Sequence, residues 1–156
     1  MAGRIEKIED LQASELSKLV EESEAEGYRF VRRLVDQYED GTNRFDQTGE
    51  ILYGIREANG ELVAIGGLNR DPYAGSSDVG RLRRFYICEA FRRQGIGTQL
   101  LEAIVDYARD HFSEVVVRTD SSAADAFYRA NGFQGDLGLP EATHGMSLRR
   151  TEQASR

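Results

Sequence analysis

Arg92-Arg-Gln-Gly-Ile-Gly-Thr98 is the stretch of this chain whose residue types and spacing could do chemistry. An aromatic and β-branched run, Phe85-Tyr-Ile-Cys88, leads into it, and from Thr98 onward the apolar residues take helical spacing. Leu100, Leu101, Ile104, Val105, Ala108 and Phe112 recur at three- and four-residue steps and predict one buried stripe. The predicted order is strand, loop, helix. The loop therefore opens on a helix N-terminus, where unpaired backbone N–H groups and the positive end of the dipole favour an anion. Gly95 and Gly97 let the backbone come close, Arg92 and Arg93 add charge at the mouth, and Gln94, Ile96 and Thr98 complete the bend. We read it as a phosphate cradle.

Spacing separates this loop from two others. A P-loop needs a lysine after its last glycine, and none follows Gly97. A dinucleotide fingerprint needs a third glycine, and Leu100 stands in that place. A strand that turns through glycines into a helix is also ordinary α/β architecture with no ligand.

R-R-Q-G-I-G, Arg92 to Gly97, resembles the acyl-CoA loop [QR]-x-x-G-x-[GA] in motif A of the GNAT superfamily of N-acetyltransferases, and it follows R-F-Y-I, which corresponds to that family's fourth strand. A second motif stands at the right distance: A-A-D-A-F-Y-R-A-N-G-F, Ala123 to Phe133, resembles the family's next helix, which carries a tyrosine and ends in G-F. Between them E-V-V-V-R-T, Glu114 to Thr119, fits the intervening parallel strand. The resemblance is specific from Leu82 to Phe133 and permissive elsewhere.

It implies a single α/β (α+β) domain over 1–156 with the GNAT fold: a central, mixed, mostly antiparallel sheet of about six to seven strands flanked by about four helices, with 149–156 a frayed tail. It implies acetyl-CoA (coenzyme A) as cofactor and transfer of the acetyl group to a primary amine of a small molecule or protein by direct attack in a ternary complex. A bulge near Tyr86 and Ile87 would splay the fourth strand from its neighbour and free backbone groups for the pantetheine arm. The oxyanion donor would be a backbone N–H near Ile87. Tyr128 falls on the family tyrosine beside the cofactor sulfur and would donate to the departing thiolate, although on an amphipathic helix beside Phe127 it also reads as a core aromatic. Ser121 stands where many members carry an asparagine that reaches the arm, and the usual proline after the fourth strand is replaced in the region of Glu89. The implied partner is the amine substrate, with room for a homodimer. A non-catalytic acyl-CoA-binding or sensory module is the alternative, and a nucleotide-binding switch is ranked behind both because the loop lacks its lysine.

Length and composition bound these readings. At 156 residues, the chain can bury roughly two-thirds of its unfolded surface as one domain. No apolar run approaches the roughly 20 residues of a membrane span, and the start lacks a signal-peptide core, so a cytoplasmic setting is expected. Cys88 and two histidines make a protein-bound metal improbable. A net charge of −7 argues against nucleic acid as partner. Arg81, Arg83, Arg84, Arg92 and Arg93 crowd the organising segment, while acids are dense between Glu6 and Glu50. A polyanionic cofactor and a cationic acceptor facing acidic walls both fit that pattern, as do acids that merely solvate helix surfaces.

Along the chain, Arg4 to Ile8 predicts a first strand. Asp10 is a candidate cap for a helix through Leu11, Leu16, Leu19 and Val20 that stops at Gly27. A second helix is predicted with Tyr28, Val31, Leu34, Val35 and Tyr38 on one face, closing at Asp40-Gly41. Ile51 to Arg56 and Leu62 to Leu68 predict a hairpin through Asn59-Gly60, with a bulge or a close approach at Gly66 and Gly67. Val79 to Cys88 is the next strand, with broken alternation, and Ala142 to Leu148 a last one. No general base stands out: Glu89 and Asp120 are weak candidates, a water relayed to a strand carbonyl would serve, and His111, His144 and Cys88 read as structural.

Overall fold

The computed structural model describes residues 3–135 and 137–148. The described strands are β1 (Ile5–Lys7), β2 (Ile51–Arg56), β3 (Leu62–Arg70), β4 (Val79–Ile87), β5 (Glu114–Val117), β6 (Gln134–Gly135) and β7 (His144–Ser147). The α-helices are α1 (Ser17–Ala25), α2 (Phe30–Asp40), α3 (Ile96–Arg109) and α4 (Ser122–Ala130). One sheet holds all seven strands in the order β1-β2-β3-β4-β5-β7-β6. Every neighbouring pair is antiparallel except β4 and β5. This is the mixed, mostly antiparallel sheet that the motifs implied. No described helix is long and apolar enough to cross a membrane.

Local chemistry accounts for most of the elements. Asn59 accepts the Glu61 N–H at 2.9 Å and Gly60 takes φ +91°, which turns β2 into β3. Gly27 and Gly41 carry φ of +93° and +82° and end α1 and α2. From Leu62 to Asn69, β3 is buried on both faces, because α1 lies on one side and α3 on the other. The predicted α3 stripe of Leu100, Leu101, Ile104, Val105 and Ala108 is buried against the sheet.

Four expectations are corrected. Asp10 does not cap α1: a 3-10 turn, Ala13–Leu16, intervenes, and Glu15 accepts the Gln12 N–H at 3.1 Å at its start. α2 begins at Phe30, which leaves Tyr28 outside it and 42% exposed. β6 was not foreseen, since two residues carry no alternation. The bulge lies upstream of Tyr86 and Ile87. Ile65 pairs with Tyr86 but Gly67 pairs with Arg83, so Arg84 and Phe85 together face Gly66, with Arg84 at φ +58°. The predicted tail, 149–156, lies outside the described residues.

That extra residue resolves the broken alternation of β4. A Cβ on Gly66 would meet Phe85 and Ile104 of α3, so Gly67 points to the opposite face, the side of α1 and α2. Arg83, paired with Gly67, shares that face. Arg84 shares it too, because its Nη2 donates to Gln37 of α2 at 3.0 Å. Two consecutive arginines therefore point the same way, and Phe85 is turned toward α3 and α4.

Gly66 and Gly67 stand in β3 where the register shifts, and both also allow a close approach by a ring, as their sequence suggested. A Cβ on Gly66 would stand 2.8 Å from the Phe85 ring, and one on Gly67 would overlap the Phe45 ring. Gly67→Ala is expected to cost about 1–3 kcal/mol through overpacking, read as a lower midpoint in chemical denaturation. An unchanged midpoint would mean that Phe45 swings aside freely.

Candidate functional site

β4 pairs with β5 over Val79–Arg81 alone, against Glu114–Val116. Beyond Arg81 the two strands part, and a cleft of about 1090 Å³ opens between them. Its walls come from β4, the loop before α3, the end of β5, the start of α4 and the segment joining α1 to α2. Cys88 donates its N–H to Val63 at 2.8 Å, and by the alternation of an antiparallel ladder the N–H and C=O of Ile87 point away from β3, into the cleft. The Ile87 carbonyl accepts from Arg92 Nε at 2.9 Å, while no described residue accepts from its N–H.

The loop has the shape its glycines suggested. Gly95 is the N-cap of α3 at φ +80°, and a Cβ there would meet nothing within 4 Å. Gly97 lies against the Phe127 ring, where a Cβ would make ordinary contact at 3.4 Å. Among the described residues nothing accepts from the N–H groups of Gly97 and Thr98, the first-turn donors that a helix leaves over. Gln94 folds back, its Nε2 donating to the Ala90 carbonyl at 3.1 Å, and Ile96 is buried in the core. These two side chains close the loop and anchor it. Arg93 stands exposed at the mouth with φ +63° and no ion-pair partner among the described residues.

Arg92 does something different from Arg93. Its guanidinium lies 5.2 Å above the Tyr86 ring and donates to both Glu26 oxygens, at 3.1 and 3.0 Å. The Tyr86 hydroxyl in turn lies 2.8 Å from Glu22 and 2.6 Å from Glu26. Burial first, and then these two carboxylates, push the Tyr86 phenol well above its usual range, so it stays protonated. Glu22 also takes the Glu89 N–H at 2.8 Å. This knot ties α1 to the end of β4 and sets the angle at which the loop leaves the strand. Both carboxylates were missed in the sequence. Their i, i+4 spacing places them on one helix face, but nothing there says which strand end they meet.

Across the cleft, α4 presents an aromatic wall. Tyr128 is 6% exposed, with ring centroids 5.3 Å from Phe127, 6.4 Å from Phe85 and 6.0 Å from His144. Its hydroxyl has no hydrogen-bond partner among the described residues, and the residue lines the cleft. Burial alone raises its pKa far above the usual phenol range. Ser121 caps α4, accepting the Ala124 N–H at 3.1 Å; the residue lines the cleft, and its hydroxyl donates to no described residue. His144 is structural as expected, held between Asp125 at 2.6 Å and Thr143 at 2.8 Å. Cys88 is buried and its pKa is raised, chiefly by that burial. Glu89 and Asp120 are exposed and outside the cleft wall. The carboxylates that do line it, Glu26 and Glu141, are paired with Arg92 and Arg118.

A splayed β4–β5 pair with a glycine loop opening into α3 defines the class of protein, and the comparisons agree. The Acetyltransferase (GNAT) family matches residues 9–133, and the chain belongs to that family. It is similar to the N-alpha-acetyltransferase RimI of Mycobacterium tuberculosis, 41% identical over 69 residues, a match that spans 40% of this chain and 44% of that relative. A provisionally assigned acetyltransferase from Exiguobacterium sp. 255-15 has a similar structure, with TM-score 0.84 and 26% identity over 100% of this chain and 99% of the other. The GNAT family N-acetyltransferase YhbS of Escherichia coli, solved in complex with CoA, superposes with TM-score 0.67 at 18% identity, covering 94% and 81% of the two chains.

The Arg92–Glu26 pair makes stability depend on pH. Arg92 first, with help from Tyr86 and against desolvation, holds the Glu26 carboxyl below its usual range. A carboxyl lowered on folding adds stability above its unfolded pKa of about 4.3 and loses it as pH falls through the folded value. Arg92→Gln is expected to cost roughly 1 kcal/mol at neutral pH. The gap to wild type should narrow in urea denaturation once the pH is taken below the unfolded value of about 4.3. A gap of equal size at both pH values would assign the effect to the Tyr86 stack instead.

Proposed function

We propose that the chain is an N-acetyltransferase that moves an acetyl group from acetyl-CoA to a primary amine of a small molecule or protein, by direct attack within a ternary complex. One observation carries the reading: the cleft joins the free N–H groups of Gly97 and Thr98, the free N–H of Ile87 and the unpartnered hydroxyl of Tyr128. The open space at Gly95 and the leftover donors of α3 fit a diphosphate, with Arg93 as counter-charge. Ile87 and the hydroxyl of Ser121 suit the amides of a pantetheine arm.

Acetyl-CoA, when bound, supplies an acyl carbon activated as a thioester. The Ile87 N–H is the donor we assign to the negative charge that builds on the acyl oxygen as the amine adds. Tyr128 is assigned to the sulfur. A thiol of ordinary pKa near 8.5 is more acidic than a buried phenol, so full proton transfer from Tyr128 would run uphill. Its part is a charge-assisted hydrogen bond that steadies the leaving sulfur, held in place by the rings of Phe85, Phe127 and Phe133. With Glu26 and Glu141 both ion-paired, the amine's proton passes to water, and the rate should follow the neutral fraction of the amine as pH rises.

The same pairing favours a second reading, a module that binds acyl-CoA without turnover. Release of free thiol from acetyl-CoA in the presence of amines separates the two. Tyr128→Phe is expected to lower kcat by about 10- to 100-fold with little change in CoA affinity; an unaltered kcat would remove the tyrosine from the chemistry. Gly95→Val should weaken CoA binding by roughly 100-fold, from strain at positive φ and a filled cradle. Gly60→Val, equally strained in the β2–β3 turn, is the control and should leave CoA affinity alone.

A further inference from the structure

The charges around the cleft do not balance. Arg81 is paired with Asp71 at 2.6 Å, Arg92 with Glu26 and Arg118 with Glu141. Arg93 guards the loop before α3. Arg33, Arg83 and Arg84 remain, all lining the cleft, and none has an ion-pair partner among the described residues.

Arg84 is the sharpest case. It is 9% exposed, among the described residues its one hydrogen bond runs from Nη2 to the neutral amide of Gln37, and its Nε is buried with no acceptor there. Burial first, and then Arg83 and Arg33, pull its pKa down to about 10. Arg83 is half-buried, and desolvation lowers its pKa as well. A guanidinium is almost never buried without a counter-charge, and a buried donor left unmade is costly. An anion is missing from the list of partners.

The diphosphate of coenzyme A does not supply it. Arg83 and Arg84 point to the face of α1 and α2, whereas Gly97 and the start of α3 lie against Ile87 and Phe127 on the other face. Arg84 also precedes Ile87 by three residues, roughly 10 Å of extended strand. The arginine face is the approach left to the acceptor. Tyr28 and Phe30 flank it with apolar surface, and Tyr73 lies against Arg81 at 4.8 Å.

We propose that Arg33, Arg83 and Arg84 receive the carboxylate of a small acceptor of amino-acid type, so that the amine of the same molecule is held toward Ile87 and Tyr128. The inference rests on the N-acetyltransferase reading and narrows its substrate class. A carboxylate offers two coplanar oxygens that match a guanidinium fork, and Arg33 and Arg83 line the cleft with no carboxylate to meet among the described residues, while the anion's charge also offsets the buried guanidinium of Arg84. The bulge is what builds the site, since a regular strand would send Arg83 and Arg84 to opposite faces. The expectation of a cationic acceptor facing acidic walls is thereby replaced: the acids that reach the cleft are already spent on arginines.

The test is calorimetric titration of the full chain, with CoA present so that no transfer occurs. The standard amino acids are compared with their α-carboxamides, and O-phosphoethanolamine with ethanolamine. At least one amino acid should bind about tenfold or more tightly than its amide. Arg33→Gln, exposed and safe for folding, and Arg83→Gln should each erase most of that preference while leaving CoA affinity unchanged. Acid and amide binding equally across the panel, or a preference that survives both variants, overturns the proposal. So does a preference for the phosphate over every carboxylate. Thiol release from acetyl-CoA then separates the two levels. Release with amides as readily as with acids leaves the transferase reading standing and removes this one, whereas acid-selective binding without release leaves the carboxylate site and removes the transferase.

Discussion

β4 carries one residue more than β3 can match, and most of what this molecule can do follows from where that residue sits. Opposite Gly66, the doubled pair Arg84 and Phe85 breaks the ladder, and pairing with β5 is confined to Val79–Arg81. A bulge raises local twist, and twist carries the end of β4 away from a parallel partner it would otherwise meet. The cleft is therefore a failure of pairing that the rest of the fold keeps open. On one side the knot of Glu22, Glu26, Tyr86 and Arg92 pins the strand end to α1. On the other, Phe85 packs on Phe127 at 5.7 Å and leans on α4.

The same extra residue divides the cleft by chemistry. One face is aromatic and neutral, walled by Tyr128 and Phe127. The other is cationic, with Arg83 and Arg84 brought to one side. In a chain of net charge −7 this concentration is local, and the acids that could cancel it have been taken up. Asp71 holds Arg81, Glu141 holds Arg118 and Glu26 holds Arg92. What remains uncompensated is arranged around one volume, and long-range attraction of an anion to it needs no further device.

Several elements were legible because their physics is local. A glycine after a helical run ends the helix whatever surrounds it, as Gly27 and Gly41 do, and Asn-Gly turns a hairpin without help. The loop from Arg92 to Thr98 was legible for the same reason, since donor geometry at a helix start depends on a few consecutive residues. Misjudged elements depended on partners far along the chain. The place of the bulge is a relation between β3 and β4, and alternation within β4 alone shows a fault without its position. Arg92 and Arg93 look alike in sequence, yet Glu26, 66 residues away, claims the first and leaves the second free.

The amino-acid string by itself determined most of the longer elements, the glycine loop that opens α3, the buried stripe of α3 and the tyrosine of α4, because each is written in residues close together along the chain. Tertiary structure alone decided which arginines are spent and which are free, which face each of them points to, and which carboxylates reach the site. Charge neutralisation and burial are sums over everything within a few ångströms, and folding is what decides who those neighbours are.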